Sequence, residues 1–271
     1  MDVFHLNVGE GPLAAAAIHH GHAVRPMVAA LLALSEQERL REEDPYTEFL
    51  AQVAPTRFIG GRSRFEMDLN RPRDKAVYLQ PADAWGLNVW KGPLPPDVVD
   101  ASLANYDLFY ATARTVLAGL VERHGHVVVL DIHSYNHRRD GAEGPTADAA
   151  GNPEVNIGTG TMDRQRWSPV VDGFIDALRK FDYRGRQLDV RENVKFVGGH
   201  FCRWIHETFP ESVCAIAVEF KKIWMNEWTG EVDRAQLAAL KAALDSTTPA
   251  LRQALDGMNV KPQLAAERTS H

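Results

Sequence analysis

The sequence predicts one α/β domain with a mixed, mostly parallel sheet flanked by helices. Two observations carry this. Residues 127–130 and 213–218 are unbroken apolar runs rich in β-branched side chains, the pattern of strands buried on both faces of a parallel sheet. Residues 101–123 place Leu103, Tyr106, Tyr110, Ala113, Leu117 and Leu120 at helical spacing and lead through His124-Gly125 into the first of those strands. That is half of a βαβ crossover. A chain of 271 residues is long enough for one large domain of this kind, and neither a repeat nor a linker divides it.

Taken in order, residues 13–18 (Leu-Ala-Ala-Ala-Ala-Ile) form a short strand that runs into His19-His20-Gly21-His22. Residues 26–40 read as a helix with Met27, Leu31, Leu32 and Leu34 on one face, interrupted at Ser35. An acidic loop, 42–48, follows, in which Pro45 forces Asp44 out of helical geometry. Residues 49–53 suit one helical turn. Between 56 and 72, Arg64, Glu66, Asp68 and Asn70 alternate with apolar neighbours, which predicts a half-buried strand with a charged face. Residues 81–96 are an irregular loop, and the helix at 101–123 and the strand at 127–135 come next.

The strand 127–135 is expected to turn Asp131 and His133 to opposite faces, with His133 toward a ligand. Residues 136–160 are polar, glycine-rich and aperiodic, a loop of functional length. A helix at 168–181, a short strand at 194–197, a Gly198-Gly199-His200 turn and a helix at 201–208 precede the strand 213–220. One closing helix at 235–258 and a frayed tail at 261–271 complete the expectation.

Composition narrows the function. A net charge of -6 argues against a general nucleic-acid binder, which needs clustered Lys and Arg. No stretch reads as a membrane helix, and the first residues lack the basic and apolar regions of a signal peptide, so the expected location is cytoplasmic. The two cysteines, Cys202 and Cys214, are then expected as reduced thiols. Gly158-Thr159-Gly160 lacks the rest of a dinucleotide fingerprint, no lysine follows a glycine loop in the P-loop manner, and Ser134 lacks the glycines of a nucleophile elbow.

What remains is a set of strand ends. They carry His19 or a near neighbour, His133 and Glu219, while the bent loop carries Asp44. In open α/β sheets ligands bind at the carboxyl ends of strands. Histidines and a carboxylate with one open position are what a catalytic zinc ion requires.

The segments Ser63-Arg64-Phe65-Glu66-Met67-Asp68-Leu69-Asn70-Arg71-Pro72, Leu130-Asp131-Ile132-His133-Ser134, Asn156-Ile157-Gly158-Thr159, Phe196-Val197-Gly198-Gly199-His200 and Ala217-Val218-Glu219 occur in this order. Together they resemble the successive motifs of the N-formylglutamate amidohydrolase family over roughly residues 10–230. The resemblance implies a zinc-carboxypeptidase-like fold of the phosphorylase/hydrolase-like type and a zinc-dependent amidohydrolase acting on a small, carboxylate-bearing N-acyl amino acid such as N-formylglutamate. It implies one Zn(2+) per chain, held by His19, Asp44 and His133, with His22 able to bind as well or instead, His20 a spectator and Glu48 a weaker candidate than Asp44. Glu219 resembles the general base, Arg64 the oxyanion stabiliser, and Asn70 with Arg71 the carboxylate clamp. Arg203, or Arg138 or Arg139 from the loop, would add a second carboxylate contact. The chain departs from the family pattern around Asp44 and after His133, at Tyr135-Asn136-His137-Arg138-Arg139. A peptide or other acyl-amino-acid hydrolase of carboxypeptidase type, and a non-catalytic carboxylate-binding module, remain alternatives. The sequence leaves the oligomeric state open.

Overall fold

The computed structural model describes residues 2–259, so the tail expected at 261–271 lies outside the described residues. A seven-stranded sheet runs in the order β1 (Phe4–Asn7), β3 (Thr56–Gly60), β2 (Leu13–Ala17), β4 (Val127–Tyr135), β7 (Val213–Lys221), β5 (Val155–Gly158) and β6 (Val190–Glu192). Four of its six pairings are parallel, and antiparallel pairs join β1 to β3 and β5 to β7.

The central strands β2, β4 and β7 are apolar on both faces because both faces are covered. Alternate residues segregate cleanly. Ala15, Val128, Leu130 and Ile216 join one core with the helices α3 (Thr47–Ala51), α5 (Ser168–Lys180), α7 (Arg234–Asp245) and α8 (Thr248–Asn259). Ala14, Val127, Val129 and Ala215 join the other with α4 (Pro96–His124) and α6 (His200–Thr208). Alanine is a poor strand former alone. In β2 it is held between two parallel neighbours and fully buried.

Several expected elements differ. Residues 63–72 are not a strand: Glu66 and Met67 donate to the Ser63 carbonyl and Arg71 donates to that of Asp68, which are turn bonds. Both alternating sets are buried there, Glu66 and Asp68 along with Phe65, Met67 and Leu69, so the period of two reflects a turn packed on all sides. Residues 194–197 form an irregular segment, with Val194 and Val197 exposed, and the edge strand lies just before it at β6. The long loop contains β5, whose Asn156 interrupts the apolar pattern. The helix expected at 26–40 is two, α1 (Pro26–Leu31) and α2 (Glu36–Glu42). The first stops at the extended Leu32, and Ser35 starts the second through a reciprocal capping box with Glu38. The closing helix likewise breaks between Asp245 and Thr248.

Asp131 and His133 share a face of β4, as residues two apart on a strand must. Asp131 Oδ1 lies 3.1 Å from His133 Nε2.

Candidate active site

Parallel strands deliver their carboxyl ends to one edge of the sheet. There β2 passes into His19, while His133 and Glu219 stand two residues before the ends of β4 and β7 and are registered directly beside each other. The acidic loop is pinned to the same edge by the Asp44 amide, which donates to the His19 carbonyl over 2.9 Å. Pro45 and the left-handed Tyr46 at φ 69° turn the chain sharply after Asp44, as the proline-bent loop led one to expect.

His19, Asp44 and His133 are buried, with one donor atom from each within 4.8 Å of the others. The two imidazoles use the same atom. Nδ1 of His133 lies 3.1 Å and Nδ1 of His19 3.5 Å from Asp44 Oδ2. A tetrahedral zinc site with bonds near 2.05 Å has donor-to-donor edges of about 3.3 Å, so the two separations bracket one edge. Each outward Nε2 meets a second buried carboxylate, Asp68 at 2.7 Å for His19 and Asp131 at 3.1 Å for His133. The hydrogen bond to Asp68 fixes the His19 ring and leaves its other nitrogen free to act as a ligand, while Asp131 approaches His133 as a charge contact. Ser134 Oγ donates to Asp44 Oδ1 over 2.9 Å, so both oxygens of that carboxylate are committed. The donor set fits a divalent ion.

Electrostatics follow from this crowding. Burial opposes a charge on His133, yet Asp131, Asp44 and Glu219 outweigh it and hold its pKa well above the ordinary histidine value. Burial likewise opposes the Asp44 charge, but the hydrogen bonds from His133 and His19 keep its carboxyl far below the usual range. Glu219 is different. Burial dominates and pushes its carboxyl up to about 7, with His133 pulling the other way.

The other sequence-derived candidates divide. Arg64, Asn70 and Arg71 line the same cavity of about 770 Å³ as His19, His133 and Glu219. Arg64 donates to Asp68 Oδ2 over 2.7 Å and lies 4.8 Å from the Trp85 ring centre. Asn70 Oδ1 accepts from the Phe201 amide over 2.9 Å, and its Nδ2 lies 3.4 Å from His133 Nε2. Arg71 is half-exposed, with its nearest carboxylate, Asp68, 3.9 Å away. Arg139 also reaches the cavity wall. Arg203 does not: it sits on the exposed side of α6, and Arg138 is bonded to the Gly144 carbonyl. His22 is not brought to the histidine pair. Its Nδ1 is bound to Glu43, and its Nε2 faces Arg39. His20 pairs with the exposed Glu48, which removes both from the centre.

Sequence reasoning missed the hub. Asp68, fully buried, accepts from His19, Arg64, the Asn70 amide and the Tyr78 hydroxyl at once. In sequence its alternation with Arg64 and Glu66 reads as the charged face of a half-buried strand. The one available signal was its place between Arg64 and Asn70-Arg71 in the family-like segment.

Residues 11–224 match the family model described as N-formylglutamate amidohydrolase. The chain belongs to that family. Membership makes it an amide-bond hydrolase. Among solved structures, an N-formylglutamate amidohydrolase from Ralstonia eutropha JMP134 is 20% identical with a TM-score of 0.69, over 93% of this chain and 96% of that one. A gene product from Agrobacterium tumefaciens is 17% identical with a TM-score of 0.66, also over 93% and 96%. Both share the fold. A metallo-carboxypeptidase from Burkholderia cenocepacia aligns less closely, at 16% identity and a TM-score of 0.38, over 91% of this chain and 57% of that one. No curated protein matches the sequence. Among the described residues no helix is long and apolar enough to cross a membrane.

Proposed function

We propose that this amidohydrolase is zinc-dependent and cleaves the amide of a small N-acyl amino acid, with N-formylglutamate as the reference substrate. The observation that carries the reading is the buried convergence of His19, Asp44 and His133 beside Glu219 in one cavity. The ion held by these three residues would supply Lewis acidity toward the substrate carbonyl and lower the pKa of water.

The chain's own groups account for the remaining steps. Glu219, balanced near neutrality by burial, accepts the proton of the attacking water and returns it to the leaving nitrogen. Arg64 lines the cavity and keeps its charge beside Asp68, which suits it to stabilise the developing oxyanion. Arg71 is half-exposed, reaches Asp68 only at 3.9 Å and stands next to Asn70 on the cavity wall, so its guanidinium is available for the carboxylate of the substrate.

Metal analysis of the purified protein, combined with a hydrolysis screen over N-acyl amino acids, tests the reading. About one divalent ion per chain is expected from a single three-ligand site. His133→Ala should lose the ion, while Glu219→Gln should keep it and lose turnover. Full activity in Glu219→Gln would overturn the mechanism, and wild-type protein that binds ligand without turnover would instead mark a carboxylate-binding module.

A further inference from the structure

Lys222 follows the end of β7 and is the most deeply buried lysine of the described chain. Burying an ammonium is costly unless its N–H groups are all satisfied. Here they are: Nζ donates to the carbonyls of Arg41 over 2.6 Å and Glu43 over 2.7 Å, and to Asn136 Oδ1 over 2.9 Å. None of these acceptors is charged, and among the described residues Lys222 takes part in no ion pair. A lysine kept for charge pairing would be expected to sit against a carboxylate.

Two of these acceptors stand beside the proposed ligands. Glu43 directly precedes Asp44, and Asn136 follows three residues after His133. Lys222 itself stands three residues after Glu219, and its amide bonds the Tyr135 carbonyl over 3.0 Å. One ammonium thus joins the acidic loop, the end of β4 and the end of β7. It spans all three.

We propose that Lys222 is the positioning residue of the metal centre: by clamping the carbonyls of Arg41 and Glu43, it holds the Asp44 carboxylate against the two histidines. The inference rests on the metal reading above. It makes a prediction whose sign is opposite to that of simple electrostatics. A positive charge near a cation site repels the cation, so removing that charge should tighten metal binding. If positioning dominates, removing it should weaken binding, by about 10–100-fold as for other outer supports of metal ligands.

The experiment is zinc titration of metal-free protein against a competing chelator, together with the melting temperature of the metal-free form, for wild type, Lys222→Met, Lys222→Gln and Asn136→Ala. The expected order of zinc affinity is wild type, then Gln, which retains an N–H donor, then Met. Asn136→Ala, which leaves both carbonyl contacts in place, should lose only a few-fold and serves if the Lys222 variants fold poorly. Unchanged or tighter zinc binding in Lys222→Met overturns the proposal, as does a lower melting temperature with unaltered affinity. Wild-type protein that takes up no zinc overturns the metal reading and this inference with it, whereas zinc uptake that is insensitive to all three substitutions overturns the inference alone.

Discussion

Gly199→Ala tests whether Asn70 is a working part of the site. The backbone at Gly199, with φ -93° and ψ -168°, is extended and admits alanine without strain. The obstacle is the side chain of Asn70, since an added Cβ would stand 2.2 Å from its Nδ2 and 2.3 Å from its Oδ1. Ordinary contact begins near 3.4 Å, so the amide must retreat by about 1 Å. It cannot do so freely, because Oδ1 holds the Phe201 amide at the start of α6 and the Asn70 backbone is bonded to Asp68. Leaving that buried N–H without an acceptor costs about 1–3 kcal/mol. A misplacement of ~1 Å in a positioning group can cost ~100-fold in rate. The expected result is a fall in kcat/KM of about 10–100-fold on the best acyl-amino-acid substrate, carried mainly by KM, with zinc content unchanged. Steady-state kinetics in wild-type and Asn70→Ala backgrounds provide the check. The effect of Gly199→Ala should largely vanish once Asn70 is gone. Equal losses in both backgrounds, or a wild-type kcat/KM for Gly199→Ala, would refute the argument.

Two other perturbations address the supports of the site. Asp68→Asn removes the carboxylate that accepts from His19 Nε2 and from Arg64; zinc affinity should fall by about 10–100-fold, and chelator competition showing wild-type affinity would count against Asp68 as the support of His19. His206 governs acid stability. Its Nε2 accepts from the Ala215 amide over 3.0 Å and its Nδ1 faces the Thr161 hydroxyl at the same distance, so the folded state requires a neutral ring. Burial lowers its pKa from 6.5 to about 4. The unfolded chain therefore binds the extra proton between these values, and stability is full above about 6.5 and lost as pH falls through about 4. The ceiling is about 3 kcal/mol. Urea unfolding of metal-free protein at neutral and mildly acidic pH measures the loss, and a His206→Gln variant with the same acid slope as wild type would assign that slope to other groups.

The parts of the fold read correctly from sequence are those in which the local pattern and the tertiary environment agree. Both long strands, β4 and β7, begin with unbroken apolar runs because helices cover both faces, and their polar residues follow as the strands approach the sheet edge. His133 and Glu219 were legible for that reason. The segment from Ser63 to Pro72 was not, because a turn buried on every side can alternate in sequence as a half-buried strand does. Val194, Phe196 and Val197 suggested a strand by composition, yet they form an exposed apolar segment that includes the cavity rim. β1 and β5 are short and carry polar residues, His5 and Asn156, so neither produces a buried-strand signal. The choice among His19, His20 and His22 turned on partners far away in sequence, Asp68 and Glu43, which no spacing rule could supply.

Charge balance links the metal reading to the fold. Four buried carboxylates meet at the sheet edge: Asp44, Asp68, Asp131 and Glu219. The neighbouring acids Glu43 and Glu66 are matched separately, by Arg39 with His22 and by Arg25. Against the four stand two buried cations, Arg64 and Lys222. With neutral imidazoles the cluster would carry a formal charge of about -2 with Glu219 ionised and about -1 with it protonated, which a low-dielectric interior does not tolerate uncompensated. Protonation of His133 is a partial remedy, and its strongly raised pKa reflects that demand. A divalent cation among His19, Asp44 and His133 is the complete one, because it neutralises the cluster while leaving both imidazoles uncharged and able to act as ligands.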